Sequence, residues 1–124
     1  MGENSKTILI VDDEPDVLSF VEEVLVHYGY QPLLATTGEE ALEICEGREP
    51  NIDLLITDVF LPSMQGNELA CLFKEKYPKT KILYMSGYFG PAIPEEEQRD
   101  WKKAFIQKPF TSGQFMRLFR ALLK

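Results

Sequence analysis

The chain has 124 residues, a formal net charge of -7 and 44% hydrophobic residues, which suits one domain around one core. Its 13 Lys and Arg stand against 20 Asp and Glu, and this balance argues against a nucleic-acid partner, since binders of the phosphate backbone concentrate cations. No apolar stretch approaches the ~18 residues of a membrane span, so this segment is expected to make no membrane contact. The N-terminus lacks a basic-then-apolar signal, and a cytoplasmic location is expected. Met1-Gly2 does not continue as a myristoylation start, because Lys6 stands where Ser or Thr is needed. Cys45 and Cys71 lack metal-ligand spacing and fall beside apolar neighbours, so both are expected to be small core residues in a reducing compartment. His27 is the only histidine, which leaves a His-based metal site or triad little to draw on.

In chain order, Thr7 to Val11 is a short β-branched, apolar run and reads as a buried strand. It ends in three acids, Asp12-Asp13-Glu14, and Pro15 then suits the first turn of a helix. Val17, Phe20, Val21, Val24, Leu25 and Tyr28 recur at helical spacing, with Gly29 as the residue that ends the helix. Gln31 to Ala35 is a second strand, and Pro32 marks it as a sheet edge because proline cannot donate to a ladder. Thr37 and Glu40 have the spacing of a capping box. The helix they open turns Ala41, Leu42, Ile44 and Cys45 inward and ends near Gly47, before a loop at Glu49-Pro50-Asn51.

Ile52 to Thr57 is the third strand, an apolar run that delivers Asp58 at its carboxyl end. Leu69, Ala70, Leu72 and Phe73 mark a third helix stopped by Tyr77-Pro78. Lys81 to Met85 is the fourth strand and delivers Ser86-Gly87. Tyr88 to Lys103 carries Pro91 and Pro94 and a polar run from Glu95 to Asp100, and reads as a loop followed by a short, marginal helix. Ala104 to Gln107 is the fifth strand and ends at Lys108-Pro109. Thr111 and Gln114 form a second capping box, and Phe115, Leu118, Phe119 and Leu122 form the inner stripe of the last helix. Alternation of strand and helix predicts a doubly wound α/β fold with a five-stranded parallel sheet, helices on both faces and strand order 2-1-3-4-5. Linkers, repeats and low-complexity segments are absent, so residues 1–124 are expected to form a single domain.

That topology brings Asp12, Asp13, Asp58, Ser86 and Lys108 to one rim, where open α/β sheets bind ligands. Taken singly, each has a bland reading: Asp13 as a helix cap, Ser86 as a turn residue, Lys108 as a surface charge. Together they make chemical sense. Packed carboxylates repel and burial disfavours their charge, and a hard divalent cation such as Mg²⁺ or Mn²⁺ relieves both costs through oxygen ligands. A carboxylate beside such a cation and a lysine is a candidate nucleophile for phosphoryl transfer, with the Ser86 hydroxyl donating to a phosphoryl oxygen.

Ile8-Leu9-Ile10-Val11-Asp12-Asp13-Glu14, Asp58 with Leu61-Pro62 and Met64 to Gly66, Met85-Ser86-Gly87-Tyr88, and Lys108-Pro109-Phe110 carry a resemblance over nearly the whole chain. In order and spacing it resembles the receiver domain of two-component response regulators, and within that family the receivers attached to hybrid sensor kinases. The resemblance implies a flavodoxin-like fold and a phosphoacceptor domain that turns over no diffusible substrate. It implies that Asp58 is phosphorylated by the phosphohistidine of a sensor histidine kinase or phosphotransfer domain. Asp13 and Asp58 would bind Mg²⁺ directly, Asp12 through water, and the backbone carbonyl of Phe60 would complete the set. Ser86 and Lys108 would hold the phosphoryl group, and the Lys108-Pro109 bond would be cis.

Switching would run through Ser86 and Phe105, toward the face formed by the fourth and fifth strands and the helix between them. Phe105 lacks a tyrosine hydroxyl, so it would act by packing; its other reading is a plain aromatic of the fifth strand. Phe60, two residues past Asp58, is expected to cover the site and slow water attack on the acyl phosphate. A downstream effector or the receiver's own kinase core would be the further partner, depending on whether the chain stands alone or belongs to a larger kinase. The alternative is an interaction module on the same fold that never takes phosphate. A flavin carrier would want a Ser/Thr/Gly-rich loop where Asp12-Asp13-Glu14 stand, and a dehalogenase-type phosphatase would want Asp-x-Asp there.

Overall fold

A computed structural model describes residues 6–46, 52–87 and 104–123. In chain order its elements are β1 (Ile8–Val11), α1 (Pro15–His27), β2 (Leu33–Ala35), α2 (Gly38–Cys45) and β3 (Leu54–Asp58). They continue with α3 (Gly66–Lys76), β4 (Lys81–Ser86), β5 (Phe105–Gln107) and α4 (Ser112–Leu123). All strand pairs are parallel and the order is β2-β1-β3-β4-β5. The edge position expected for β2 holds, with Pro32 just ahead of the strand. The loop and marginal helix expected over 88–103 lie outside the described residues.

β1 and β3 are buried along their whole length, because successive side chains point to opposite faces and helices cover both. Ile8, Ile10, Leu54, Ile56, Leu83 and Met85 pack with Val21 and Leu25 of α1 and Phe115 and Phe119 of α4. Leu9, Val11 and Leu55 pack with Ala41 and Cys45 of α2 and Leu69 and Phe73 of α3. The hydroxyls of Tyr77 and Thr80 are buried and donate to the carbonyls of Cys45 and Ile52, at 2.9 and 2.5 Å. Among the described residues, no helix is long and apolar enough to cross a membrane.

The helix ends follow the sequence. Gly29 has φ 92° after the end of α1, a backbone region that glycine enters without strain. The Thr111–Gln114 box closes in both directions. At α2 only half of the expected box forms: Thr37 Oγ1 accepts the Glu40 N–H, while the Glu40 carboxylate accepts from Thr36 instead. A further box, Gln65 with Glu68, opens α3. Several inward assignments differ. Phe20, Tyr28, Leu72 and Cys71 are exposed, whereas Leu18 and Met116 are buried. Each helix meets one sheet face, and a stripe of that width omits the flanking apolar positions. Tyr28 instead lies under the Arg120 guanidinium, 4.9 Å from the ring centre.

Candidate functional site

Asp12 follows β1 and is wholly buried. Its main chain continues the sheet by donating to the Ala35 carbonyl. Its Oδ1 accepts the Glu14 N–H at 2.9 Å, which fixes the turn into α1. Glu14, not Asp13, is the N-cap of that helix, and its side chain makes no capping bond. The Glu14 carboxylate instead crosses to Lys108. Asp13 is exposed and stands on the wall of the cavity above the rim.

Asp58 closes β3 and is 6% exposed. Its Oδ1 accepts the Phe60 N–H at 2.8 Å. The chain then turns back so tightly that Gly66 N–H donates to the Val59 carbonyl at 2.8 Å. A Cβ on Gly66 would lie 2.1 Å from the Asp58 carbonyl oxygen, so only glycine fits there. Ser63 takes up the reversal with φ 67°. Ser86 ends β4, is buried, and its carbonyl accepts the Lys108 N–H at 2.8 Å. That bond carries Lys108 to the rim, where the Lys108-Pro109 peptide is cis, as expected.

Lys108 Nζ gathers the acids. It lies 2.5 Å from Asp58 Oδ2, 2.8 Å from Glu14 Oε1 and 2.9 Å from Asp12 Oδ2. The first two contacts are directed hydrogen bonds. The third is an ion pair by distance only, and Asp12 Oδ2 is left buried without a hydrogen bond. Burial pushes the Asp12 carboxyl up from 3.8 to about 6, with the Asp58 charge adding to the rise; the Glu14 N–H and Lys108 oppose it. For Lys108, burial works against the charge, but hydrogen bonds to Asp58 and Glu14 and the adjacent Asp12 carboxylate overcome it and hold the ammonium above its ordinary value.

A cavity of about 760 Å³ opens over this cluster. Asp58, Ser86 and Lys108 lie at its polar side, and Val17, Phe20, Phe60 and Phe110 make an apolar wall. The Phe20 and Phe110 rings meet at 5.9 Å between centres, which explains why Phe20 turns away from the core. Phe105 is half-buried, beside Tyr84 in the ladder and packed on the Val59, Ala70 and Tyr84 cluster with Phe60.

The donor set fits a hard cation. Asp12, Glu14 and Asp58 each bring a carboxylate oxygen within 4.8 Å of the others, and the orphaned Asp12 oxygen is an acceptor without a donor. The structure thus brings Asp12, Asp58, Ser86, Lys108 and Phe60 to one place, with Asp13 at its margin. Glu14 is the member given no role of its own by the sequence. Its one signal was position, a third acid next to two others at the end of β1.

The family model of the response regulator receiver domain matches residues 8–120. The chain belongs to that family. As a receiver domain it is a signalling module of two-component systems. It is 32% identical over 120 residues to the sensor kinase CckA of Brucella abortus, covering 97% of this chain and 13% of that protein. The nitrogen assimilation regulatory protein NtrX of Azorhizobium caulinodans is 31% identical over 111 residues, covering 88% of this chain and 24% of that protein. A probable cyclic di-GMP phosphodiesterase of Vibrio cholerae is 38% identical over 104 residues, covering 84% and 23%. The receiver therefore spans less than a quarter of the length of these three relatives. Among solved structures, a CheY-like receiver domain protein from Methanospirillum hungatei superposes with TM-score 0.80 at 28% identity, covering 95% of this chain and 93% of that one. Vibrio cholerae chemotaxis protein CheY4 superposes with TM-score 0.81 at 26% identity, covering 95% and 98%.

Proposed function

We propose that the receiver takes a phosphoryl group onto Asp58 from the phosphohistidine of a sensor histidine kinase or phosphotransfer domain. The single observation that carries this reading is the direct bond between Asp58 Oδ2 and Lys108 Nζ at the floor of the open cavity. An Asp58 oxygen attacks phosphorus, the P–N bond breaks, and the histidine leaves with the electron pair. The Phe60 N–H holds Asp58 Oδ1 and so orients the nucleophile. Lys108 partners the Asp58 carboxylate before transfer and the phosphoryl oxygens after it. Ser86 donates its hydroxyl to a phosphoryl oxygen.

Asp13 and Asp58, with the Phe60 carbonyl, would hold Mg²⁺ or Mn²⁺ directly and Asp12 through water; the proximity of Glu14 to Asp12 and Asp58 adds a fourth carboxylate. The cation, when bound, supplies positive charge against the phosphoryl oxygens and the clustered acids. The domain catalyses its own phosphorylation and is not itself an enzyme with a diffusible substrate. Residues 1–124 form one such domain, working in the cytoplasm. Its output would pass through Ser86 and Phe105 to the β4–β5 face, and its further partner is a downstream effector or a kinase core within the same protein.

The test is intact-protein mass after incubation with acetyl phosphate and Mg²⁺, beside Asp58→Asn. Gain of one phosphoryl group by the parent alone, abolished by a chelator, is the expected result. No gain together with no Mg²⁺ binding would leave an interaction module that never takes phosphate.

A further inference from the structure

Glu14 spends its carboxylate unusually. At an N-cap a side chain ordinarily accepts from its own helix, yet Glu14 makes no such bond and reaches Lys108, 94 positions along the chain. Its backbone is fixed at the same time by the Asp12 carboxylate. The side chain is 60% exposed, so the negative charge stands at the mouth of the cavity rather than in its floor. Lys108 therefore meets three carboxylates before any donor arrives.

We propose that Glu14 is a positioning and specificity residue that sets which phosphodonors Asp58 accepts, by their charge. The inference rests on Asp58 being the acceptor. Glu14 competes with the donor's oxygens for Lys108, and it repels donors in proportion to their own negative charge. Asp12 and Asp58 also hold Lys108, but both are buried below the mouth, and Asp58 is consumed as the nucleophile. Glu14 is the member whose charge a donor meets first. A donor of low net charge crosses this barrier with little loss, while a dianion is slowed.

Two small donors separate this from a structural role. Acetyl phosphate is a dianion at neutral pH; its P–O bond breaks and acetate leaves. Phosphoramidate is a zwitterion of smaller net charge; its P–N bond breaks and ammonia leaves. With Glu14→Gln, phosphorylation by acetyl phosphate should accelerate by roughly 3- to 10-fold, the size of one Coulomb contact screened by bulk water, as suits an exposed side chain. The gain with phosphoramidate should be clearly smaller, and the difference between donors should shrink with added salt. Glu14→Asp, which keeps the charge, should restore the parent's ordering of donors. Equal changes with both donors, or slower reaction with both, would overturn the proposal while leaving Asp58 as acceptor. A parent that gains no phosphoryl group from either donor would overturn both readings.

Discussion

Asp12 Oδ2 lies 2.9 Å from Lys108 Nζ, yet it is wholly buried and accepts no hydrogen bond. The nearest cation thus offsets only part of what burial costs this carboxylate, and its pKa stands at about 6 rather than 3.8. Between those two values the folded chain binds more protons at Asp12 than the unfolded chain does. Stability from this residue is therefore greatest below pH 3.8 and is lost as pH rises through about 6. The raised Lys108 adds no slope in that window, because it stays protonated in both states.

The expected outcome is a penalty of up to about 3 kcal/mol from Asp12 at neutral pH, from a shift of about two pKa units. Asp12→Asn should raise the urea midpoint at pH 7 and remove this part of the slope between pH 4 and 6. A variant less stable than the parent at pH 7, with the slope intact, would show that Lys108 compensates Asp12 fully.

Divalent cation binding should act on the same cost. Mg²⁺ at about ten times its dissociation constant should add ~1.4 kcal/mol to the parent, read as a rise in Tm over the chelated protein. Asp12→Asn should show a smaller rise. Equal rises would place the cation away from Asp12.

Gly66 is a packing prediction without any chemistry. Its Cβ would sit 2.1 Å from the Asp58 carbonyl oxygen, and backbone has no rotamer with which to yield. Gly66→Ala should cost about 3 kcal/mol or more and should slow phosphorylation, because the turn that places Asp58 must shift. Denaturant midpoints and the acetyl phosphate rate check both halves. A fully active, fully stable variant would contradict the contact.

Phe60 lines the cavity beside Asp58, and its N–H is committed to the Asp58 carboxylate. That bond uses the backbone and survives substitution, so Phe60→Asn or Phe60→Glu isolates the ring. The ring is expected to keep water from the acyl phosphate, and both variants should dephosphorylate several-fold faster (P–O cleavage rates respond tenfold to about 1.4 kcal/mol). An unchanged lifetime would take the ring out of the mechanism.

Much of this molecule was legible before folding. Apolar runs that end in Asp12, Asp58 and Ser86, alternating with helical stripes, determined a parallel sheet and put those residues on one rim, because the period of an element is written in its sequence. Pro32 marked the edge strand, and Thr111 with Gln114 marked a helix start, since both act through local backbone chemistry. Tertiary structure alone decided the width of each buried stripe, which left Phe20, Tyr28 and Leu72 outside and took Leu18 and Met116 in. It alone decided that Glu14 rather than Asp13 caps α1 and spends its carboxylate on Lys108. Three adjacent acids look alike in sequence. Only the path of the chain after β1, and a lysine 94 residues away, gives each a different neighbour and a different charge to answer.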